Sequence, residues 1–333
     1  MSEPIITVDG LSVAFPTPVG TVRAVNDVSF DVRGGETLAV VGESGSGKSV
    51  SALALMGLLP DTAQVSGSAM FGGQDLLAMS QRELRSIRGG EIAMIFQDPM
   101  TAMNPLFSVG NQIAEAVSVH QPDRTKDEAF GRAIDLLDIV GVPEPARRAR
   151  QYPHEFSGGM RQRAMIAMAM ANDPMLLIAD EPTTALDVTI QAQVVEVMQA
   201  AQEATGAAIM MITHDLGLVA GLADRVQVMY GGRIVEAGST DDIFYRSLNP
   251  YTRGLMRSIP QLGPRRADRL VPIAGTPPSL VNLPQGCAFN PRCEYRTDIC
   301  DEVPDLATVA PGHQSRCHHS ADLEPLETAG QGA

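Results

Sequence analysis

The sequence has almost no lysine and no long hydrophobic segment. Only Lys48 and Lys126 are lysine among 333 residues, so a motif that needs a lysine has two places to occur. The longest apolar runs, 52–59 and 164–171, stop at eight residues. A membrane-spanning helix needs roughly 20 such residues. We therefore expect that this chain does not cross a bilayer.

Basic charge is also scarce. The chain has 39 acidic residues against 25 lysines and arginines, a formal net charge of -14. This excess argues against a broad basic surface, so no nucleic-acid partner is expected. The first residues show neither the basic nor the apolar region of a secretory signal, which predicts a cytoplasmic location where disulfides are disfavoured. The length and a hydrophobic content of 44% predict about two domains.

Four short apolar runs each end at polar residues that can handle phosphate or water. The runs lead, in order, into the glycine-rich stretch 42–49, into Gln97, into Asp180 and Glu181, and into Thr213 and His214. Continuous apolar runs of this length are typical of parallel strands buried on both faces. Ligands bind at the carboxyl ends of such strands, so an α/β fold is predicted in which the four endings converge on one site.

Other patterns surround these runs. Apolar and polar residues alternate over 5–15 and 22–32, which predicts an N-terminal antiparallel β subdomain. The stretch 226–236 has a glycine pair typical of a hairpin. Helical spacing dominates 98–172 and predicts a helical insertion, for example at 128–140. The residues expected on the buried face of that helix are Ala129, Ala133, Leu136, Leu137 and Val140.

Residues 42–49 match the pattern G-x-x-x-x-G-K-S between a predicted strand and a predicted apolar helix. That context is typical of a P-loop. Glycines allow backbone N–H groups to surround phosphate oxygens, and the helix start adds positive potential. Lys48 adds charge at the β- and γ-phosphates, and Ser49 is expected to bind Mg²⁺. The residues expected to contact the nucleotide here are Gly42, Glu43, Ser44, Gly45, Ser46, Gly47, Lys48, Ser49 and Val50.

Asp180 and Glu181 follow a five-residue apolar run downstream of the P-loop. A carboxylate at the end of that strand is where a P-loop enzyme holds Mg²⁺ directly or through a ligand. The next carboxylate can deprotonate the attacking water, which contributes about 10²- to 10⁴-fold to a rate. We therefore predict Asp180 as a nucleotide-site residue and Glu181 as the general base.

Residues 156–163 read FSGGMRQR before a predicted helix. This segment, with the P-loop, Gln97, Asp180–Glu181, the TALD sequence of 184–187 and His214 in register, resembles the signature set of ATP-binding cassette (ABC) ATPases. The resemblance implies a P-loop ABC ATPase core that binds ATP and Mg²⁺. It also implies phosphate contacts from the opposite subunit of a head-to-tail dimer, made by Ser157, Gly158 and Gly159.

Further roles come from the same resemblance. Gln97 is implied as a catalytic residue that senses the γ-phosphate and the attacking water and binds Mg²⁺, while its loop meets membrane subunits. Asp187 belongs to the loop joining the two ATP sites, and His214 contacts the γ-phosphate. Phe15 stands where family members stack an aromatic ring on adenine, although a core phenylalanine is an equal alternative.

Five segments resemble the ATP-binding subunits of dipeptide and oligopeptide importers most closely, and their SGGM and TTALD forms resemble the first of two such subunits. The segments are 95–105, 152–163, 178–193, 249–260 and 286–293. The resemblance implies peptide import at the cytoplasmic face of the cell membrane. Implied partners are two membrane-spanning permease subunits, a homologous second ATPase subunit or a second copy, and indirectly an extracytoplasmic solute-binding protein. Nickel, oligosaccharide or other small-solute import is an alternative, as is a soluble ABC ATPase without a transport role.

All four cysteines lie near the C-terminus, at Cys287, Cys293, Cys300 and Cys317. The spacing C-x₅-C-x₆-C-x₁₆-C lacks the short knuckle that zinc usually prefers. Buried reduced thiols remain an alternative, and His313, His318 and His319 keep a mixed cysteine–histidine zinc site open. Four thiolates around one centre favour a [4Fe–4S] cluster, which relatives with this tail are understood to bind.

These patterns predict three regions. Residues 1–240 are expected to form the ABC ATPase domain, with a helical subdomain at about 98–172. Residues 241–320 are expected to form an oligopeptide-transporter-type extension bearing the cysteines, reached through a segment with seven prolines between 260 and 291. Residues 321–333 are expected to be disordered.

Overall fold

The computed structural model describes residues 3–97, 102–183, 188–258 and 272–323. The chain forms two compact units that interleave along the sequence. Unit one comprises Met1–Thr7, Asp31–Thr37 and Met70–Ile212, and unit two comprises Val8–Phe30, Leu38–Ala69 and Thr213–Ala333. The domain boundaries predicted at 240 and 320 stay predictions.

Strands and helices alternate along much of the chain. The strands are β1 Pro4–Thr17, β2 Gly20–Arg33, β3 Thr37–Val41, β4 Gln64–Phe71, β5 Gln74–Asp75, β6 Ile92–Ile95, β7 Leu176–Asp180, β8 Ala208–Thr213, β9 Arg225–Tyr230, β10 Arg233–Ser239, β11 Ala307–Ala310 and β12 His313–Ser315. The α-helices are α1 Lys48–Leu55, α2 Gln81–Ile87, α3 Val109–His120, α4 Lys126–Ile139, α5 Pro145–Arg148, α6 Gly158–Ala169, α7 Val188–Thr205, α8 Leu216–Leu222, α9 Thr240–Tyr245 and α10 Pro250–Arg257.

Unit one is built on a parallel arrangement of β6, β7 and β8. Ile95 of β6 lies beside Ala179 of β7, and Asp180 at the end of β7 lies beside Ile212 of β8. The residues of β7 and β8 are all buried, as expected for strands covered on both faces. The sequence prediction of buried parallel strands that end together is confirmed for these three runs.

The helical insertion lies in unit one. Helix α4 begins with a capping box, in which the Thr125 side chain accepts from the Glu128 N–H and Glu128 accepts from the Thr125 N–H. Its predicted apolar face is confirmed, because Ala129, Ala133, Leu136, Leu137 and Val140 are all buried. Helices α3, α6 and α7 pack against α4. The face is fixed by spacings of three and four residues, which place those side chains on one side of a helix.

Unit two contains β3 beside β9 in parallel, with β10 returning antiparallel to β9. The predicted hairpin is confirmed, and its turn uses Gly231 at φ 56° and Gly232 at φ 79°. Glycine adopts these left-handed values without the steric cost of a Cβ atom. Strand β12 continues the sheet from β10, and β11 pairs with β12.

The described part of the C-terminal region, 272–323, is mostly irregular. It contains β11, β12 and short 3₁₀ turns at Asn290–Arg292, Asp298–Asp301 and Ser320–Asp322. Of the tail predicted to be disordered, 324–333 lie outside the described residues, as do 184–187 of the TALD sequence. Among the helices that the structure describes, none is both long and apolar enough to span a membrane.

Candidate functional site

The predicted P-loop lies in unit two between β3 and α1. Gly42, Gly45 and Gly47 all have positive φ, at 151°, 78° and 104°. A Cβ atom on Gly42 would lie 2.2 Å from the Met229 carbonyl oxygen, and one on Gly47 would lie 2.4 Å from the Ala24 carbonyl oxygen. Only glycine therefore fits at two positions of the loop.

The loop closes around a lysine. Lys48 Nζ donates to the carbonyl oxygens of Gly42, at 2.7 Å, and Glu43, at 3.0 Å, and the residue is 4% exposed. Helix α1 begins at this lysine without a side-chain N-cap bond, and its first turn carries no acidic residue. Ser46 Oγ is buried and has no hydrogen-bond partner among the described residues. Backbone N–H groups at a helix start, one ammonium and one hydroxyl form a site suited to an anionic phosphate.

The β9–β10 turn supports this loop from the other side. Gly232 N–H donates to the Ser46 carbonyl oxygen at 3.1 Å, and the Gly232 carbonyl oxygen accepts from Asn26 N–H at 2.8 Å. A Cβ atom on Gly232 would lie 2.9 Å from the Ala24 carbonyl oxygen. The loop backbone is therefore held by elements distant in sequence.

Two other predicted residues lie in unit two. Phe15 is half-buried in β1, and His214 is exposed directly after β8. The turn after His214 is fixed because Asp215 N–H donates to Thr213 Oγ1 at 3.0 Å and Asp215 Oδ1 accepts from Gly217 N–H at 2.8 Å. This Asx-type turn begins α8 and places the histidine at the surface of the strand end.

Unit one brings Gln97 and Glu181 together. Gln97 Nε2 donates to Glu181 Oε2 at 3.0 Å. Asp180, which is 7% exposed, ends β7 immediately before Glu181. Because β6 and β7 run parallel in register, their carboxyl ends meet at one edge, as the sequence predicted.

Glu181 has an unusual backbone. Its φ is 48°, in the left-handed region, and its N–H donates to the Ile212 carbonyl oxygen at 2.8 Å. Non-glycine residues held in this region cost roughly 1 kcal/mol or more and concentrate at functional sites. The Gln97 contact and the Ile212 contact together fix where this carboxylate lies.

The predicted signature segment also lies in unit one. Ser157 caps α6, since its Oγ accepts from Met160 N–H at 3.3 Å. Ser157 and Gly158 are exposed, and Gly159 is half-buried. The first N–H groups of α6 therefore lie at the surface of unit one, where a helix start attracts anions. Asp187 lies outside the described residues.

The four cysteine residues line one cavity of about 200 Å³ in unit two, together with His318 and His319. No disulfide joins any two of the four cysteines. Burial raises the pKa of the Cys287 and Cys293 thiols and raises that of Cys317 to about 11. His313 is engaged elsewhere, because its Nε2 lies 2.8 Å from buried Glu236.

The cysteine prediction meets only part of its geometric requirement. All four thiols line the same cavity. Among the described residues, however, no group of three or more histidine, cysteine, aspartate or glutamate side chains is arranged to hold a metal ion. The Nε2 atom of His318 is 3.2 Å from the Glu302 carbonyl oxygen and that of His319 is 2.8 Å from Thr297 Oγ1. The cavity therefore brings together side chains that can bind a metal, but the described side chains are not arranged to coordinate one.

Sequence reasoning missed two residues that contact the P-loop. Arg292 donates to both carboxylate oxygens of Glu43, at 2.6 and 3.0 Å, and Tyr251 Oη accepts from Glu43 N–H at 2.8 Å. The contact residues are separated from Glu43 by 249 and 208 positions. Short-range patterns carry no signal for such pairs.

The phosphate loop and the Asp–Glu strand end, taken with the α/β fold, are the features of a P-loop nucleoside triphosphatase. Residues 25–184 match the family "ABC transporter", and residues 235–300 match the family "Oligopeptide/dipeptide transporter, C-terminal region". Solved structures with similar folds include a dimeric bacterial ABC transporter cassette, with TM-score 0.63 and 24% identity, covering 71% of this chain and 98% of that one. CbiO1 from Clostridium perfringens has TM-score 0.61 and 26% identity, covering 73% and 91%.

Two curated relatives match over nearly the whole length of both chains. The oligopeptide transport ATP-binding protein OppD of Salmonella typhimurium is 50% identical over 313 residues, covering 94% of this chain and 93% of that protein. The dipeptide transport ATP-binding protein DppD of Bacillus subtilis is 50% identical over 318 residues, covering 95% and 94%. The chain belongs to the ABC transporter family of ATP-binding proteins that carry the oligopeptide/dipeptide C-terminal region. This confirms the family, the fold class and the ATPase class predicted from the sequence.

Proposed function

We propose that this chain hydrolyses ATP to energise import of di- or oligopeptides. The observation that carries the proposal is the match of 235–300 to the oligopeptide/dipeptide C-terminal region, combined with peptide-transport relatives similar over more than nine-tenths of their own length. Its partners in this role are two membrane-spanning permease subunits and a second ATPase subunit, homologous or identical. The complex works at the cytoplasmic face of the membrane, and an extracytoplasmic binding protein delivers the solute.

The phosphate loop supplies the binding energy for ATP in this proposal. The N–H groups of 42–50 and the Ser46 hydroxyl donate to phosphate oxygens, and Lys48 transfers its hydrogen bonds from the loop carbonyls to the β- and γ-phosphates. Phe15 stacks on adenine. Ser49, Gln97 and Asp180 are the residues suited to hold Mg²⁺, which neutralises phosphate charge when bound.

Hydrolysis depends on the Gln97–Glu181 pair. The Glu181 carboxylate takes a proton from the attacking water, and the Gln97 amide orients both the carboxylate and the water. His214 donates to the γ-phosphate, which stabilises charge on the transferring group. The strained backbone of Glu181 and its bond to the Ile212 carbonyl support this assignment, because they fix the main chain that carries the carboxylate, which Gln97 Nε2 contacts at 3.0 Å.

Dimer closure converts ATP binding into mechanical work. Ser157, Gly158 and Gly159 of one subunit bind the γ-phosphate held by Lys48 of the other, and Asp187 connects the two sites. ATP then binds the closed dimer more tightly than the open one, and this difference in affinity is what drives closure. Hydrolysis removes the shared phosphate and allows the dimer to reopen.

Co-expression with candidate permease subunits tests the proposal. The purified complex in lipid vesicles, with its solute-binding protein, is expected to hydrolyse ATP faster when di- or oligopeptides are added. Nickel complexes and oligosaccharides serve as solute controls. Stimulation by one of those solutes and not by peptides would overturn peptide import, and failure to associate with any permease would overturn the transport role.

For the cysteine cavity we propose a [4Fe–4S] cluster with a structural or redox-sensing role. Support comes from four thiols lining one cavity, while the arrangement described above is not itself a coordination sphere. Cys287, Cys293, Cys300 and Cys317 would hold the cluster, which supplies a one-electron redox centre when bound. Anaerobic purification with iron, sulfide and zinc analysis decides. Colourless, iron-free protein containing zinc would favour the cysteine–histidine alternative instead.

A further inference from the structure

Arg292 of the C-terminal region forms hydrogen bonds to the Glu43 carboxylate of the P-loop. Glu43 is the second residue of the loop, and both of its carboxylate oxygens accept hydrogen bonds from Arg292, at 2.6 and 3.0 Å. The Arg292 side chain is 5% exposed. The Glu43 side chain is 25% exposed, so this partly buried bidentate pair is screened less than a surface ion pair, and it fixes geometry as well as charge.

Arg292 is itself held independently of the loop. Its guanidinium also donates to Tyr230 Oη at 3.2 Å and to the carbonyl oxygens of Ala274, at 2.9 Å, and Ile273, at 3.3 Å. It lies 5.8 Å from the ring centre of Phe289. These contacts are all within the C-terminal region and β9, so the guanidinium has a fixed position against which Glu43 can be held.

Tyr251 contacts the backbone of Glu43. The Glu43 N–H donates to Tyr251 Oη at 2.8 Å, and Tyr251 is fully buried, with its ring centre 4.4 Å from that of Tyr230. The Glu43 carbonyl oxygen in turn accepts from Lys48 Nζ at 3.0 Å. A continuous set of contacts therefore runs from Arg292 and Tyr251 through Glu43 to the lysine of the phosphate site.

The charge at this point has a consequence for an anionic ligand. Glu43 places a carboxylate on the loop that receives a triphosphate, and like charges at short range oppose binding. Arg292 neutralises that carboxylate. Removing only the arginine would leave a partly buried, uncompensated negative charge beside the phosphate site, and leaving one charge unpaired is more harmful than removing both partners.

We propose that Arg292 is a positioning residue for the phosphate site: together with Tyr251 it holds Glu43 in place and neutralises its charge, so that the C-terminal region sets the affinity for ATP. This inference rests on the proposed ATPase function. It assigns to the C-terminal region a direct part in nucleotide binding, separate from any metal in the cysteine cavity.

A double-mutant cycle in the full-length chain tests the inference. The variants are Arg292→Gln, Glu43→Gln and the pair combined, with MgATP affinity measured by calorimetry and kcat and KM by phosphate release. Arg292→Gln is expected to weaken ATP binding roughly tenfold or more, equivalent to about 1.4 kcal/mol, with a much smaller change in kcat. Glu43→Gln is expected to weaken it less, and the double variant is expected to recover toward Glu43→Gln.

Two further variants and a control separate positioning from general stability. Arg292→Lys keeps the charge without the bidentate geometry, so its affinity is expected between wild type and Arg292→Gln. Tyr251→Phe removes only the acceptor for the Glu43 N–H and is expected to weaken ATP binding slightly. Arg257→Gln breaks an exposed ion pair with Glu294 in the same region and is expected to bind ATP as wild type does. If Arg292→Gln fails to fold in thermal-melt measurements, Arg292→Lys and Tyr251→Phe decide.

Three results would overturn the inference. They are wild-type ATP affinity in a folded Arg292→Gln protein, a fall in kcat at unchanged KM, and losses that simply add in the double variant. A wild-type chain that binds no ATP would overturn the proposed function together with this inference. If the complex with permease subunits and solute-binding protein hydrolyses ATP without peptide stimulation, peptide import alone would be overturned, and the mutant cycle would still test the role of Arg292.

Discussion

The phosphate loop and the cysteine cavity lie in the same unit, yet they are specified in different ways. The loop uses eight consecutive residues whose backbone N–H groups are the main binding groups, so its pattern identifies the ligand. The cavity gathers four side chains from 287 to 317. Its ligand depends on thiol geometry that spacing does not determine. A site whose binding groups are backbone N–H groups can therefore be identified from a sequence pattern. For a site made of side chains, the sequence gives only a set of candidate ligand residues.

The largest effect is expected at the nucleotide site. Glu181→Gln is expected to lower turnover by about 10²- to 10⁴-fold while MgATP still binds, because only the water-activating group is lost. Phosphate release and nucleotide-dependent dimer formation, followed by light scattering, check this. Glu203→Gln, at an exposed position of α7, is the matched control. Near-normal hydrolysis by Glu181→Gln would show that another group is the base.

A glycine pair tests whether the loop depends on its backbone. In Gly47→Ala the new Cβ atom would lie 2.4 Å from the Ala24 carbonyl oxygen, whereas at Gly45 no atom lies within 4 Å of an added Cβ. Gly47→Ala is therefore expected to weaken ATP binding by at least about tenfold, or about 1.4 kcal/mol. Gly45→Ala carries only the left-handed backbone cost of roughly 1–2 kcal/mol in stability. If calorimetry gave Gly47→Ala and Gly45→Ala the same ATP affinity, the steric explanation would be contradicted.

A cysteine substitution tests the other side of the comparison. If the proposed [4Fe–4S] cluster is present, Cys300→Ser is expected to remove its iron and sulfide while reducing ATP turnover far less than Gly47→Ala does. His318→Gln is the matched control and is expected to keep the iron, because a four-cysteine cluster needs no histidine. Metal analysis of both anaerobically purified variants gives the answer. Loss of metal in His318→Gln with zinc in the wild type would identify the mixed site.

The smallest effect concerns pH. In metal-free protein the Cys317 thiol has a pKa of about 11 against an ordinary value of 9.0, chiefly because of burial. The unfolded chain therefore loses this proton at lower pH than the folded chain, so the stability that this thiol contributes is retained below about pH 9 and is lost as pH rises toward 11. Urea unfolding midpoints at pH 7.5 and pH 10.5 measure the loss, and Cys317→Ser is expected to show a smaller one. If wild type and Cys317→Ser lost the same stability between these pH values, the Cys317 thiol would not be the cause of the loss.

Local patterns predicted much of this fold because they encode local structure. The apolar runs before Asp180 and Thr213 became buried parallel strands, and the glycine pair before Arg233 became a hairpin turn. The meeting of Gln97 and Glu181 followed from the general rule for parallel strand ends. The Glu43–Arg292 pair could not be predicted in this way, since it joins residues 249 positions apart through packing of a mostly irregular segment.

The β9–β10 turn has a consequence for the time at which the nucleotide site appears during folding. Gly232 and Met229 contact a loop formed by residues nearly two hundred positions earlier. Contacts of such long sequence separation form late, because loop-closure entropy opposes them until much of the chain is ordered. During synthesis the phosphate loop lacks its contacts with Met229 and Gly232 until the ribosome has released the chain beyond residue 232. We therefore expect a nascent or refolding chain to acquire ATP binding only after the β9–β10 turn contacts the phosphate loop.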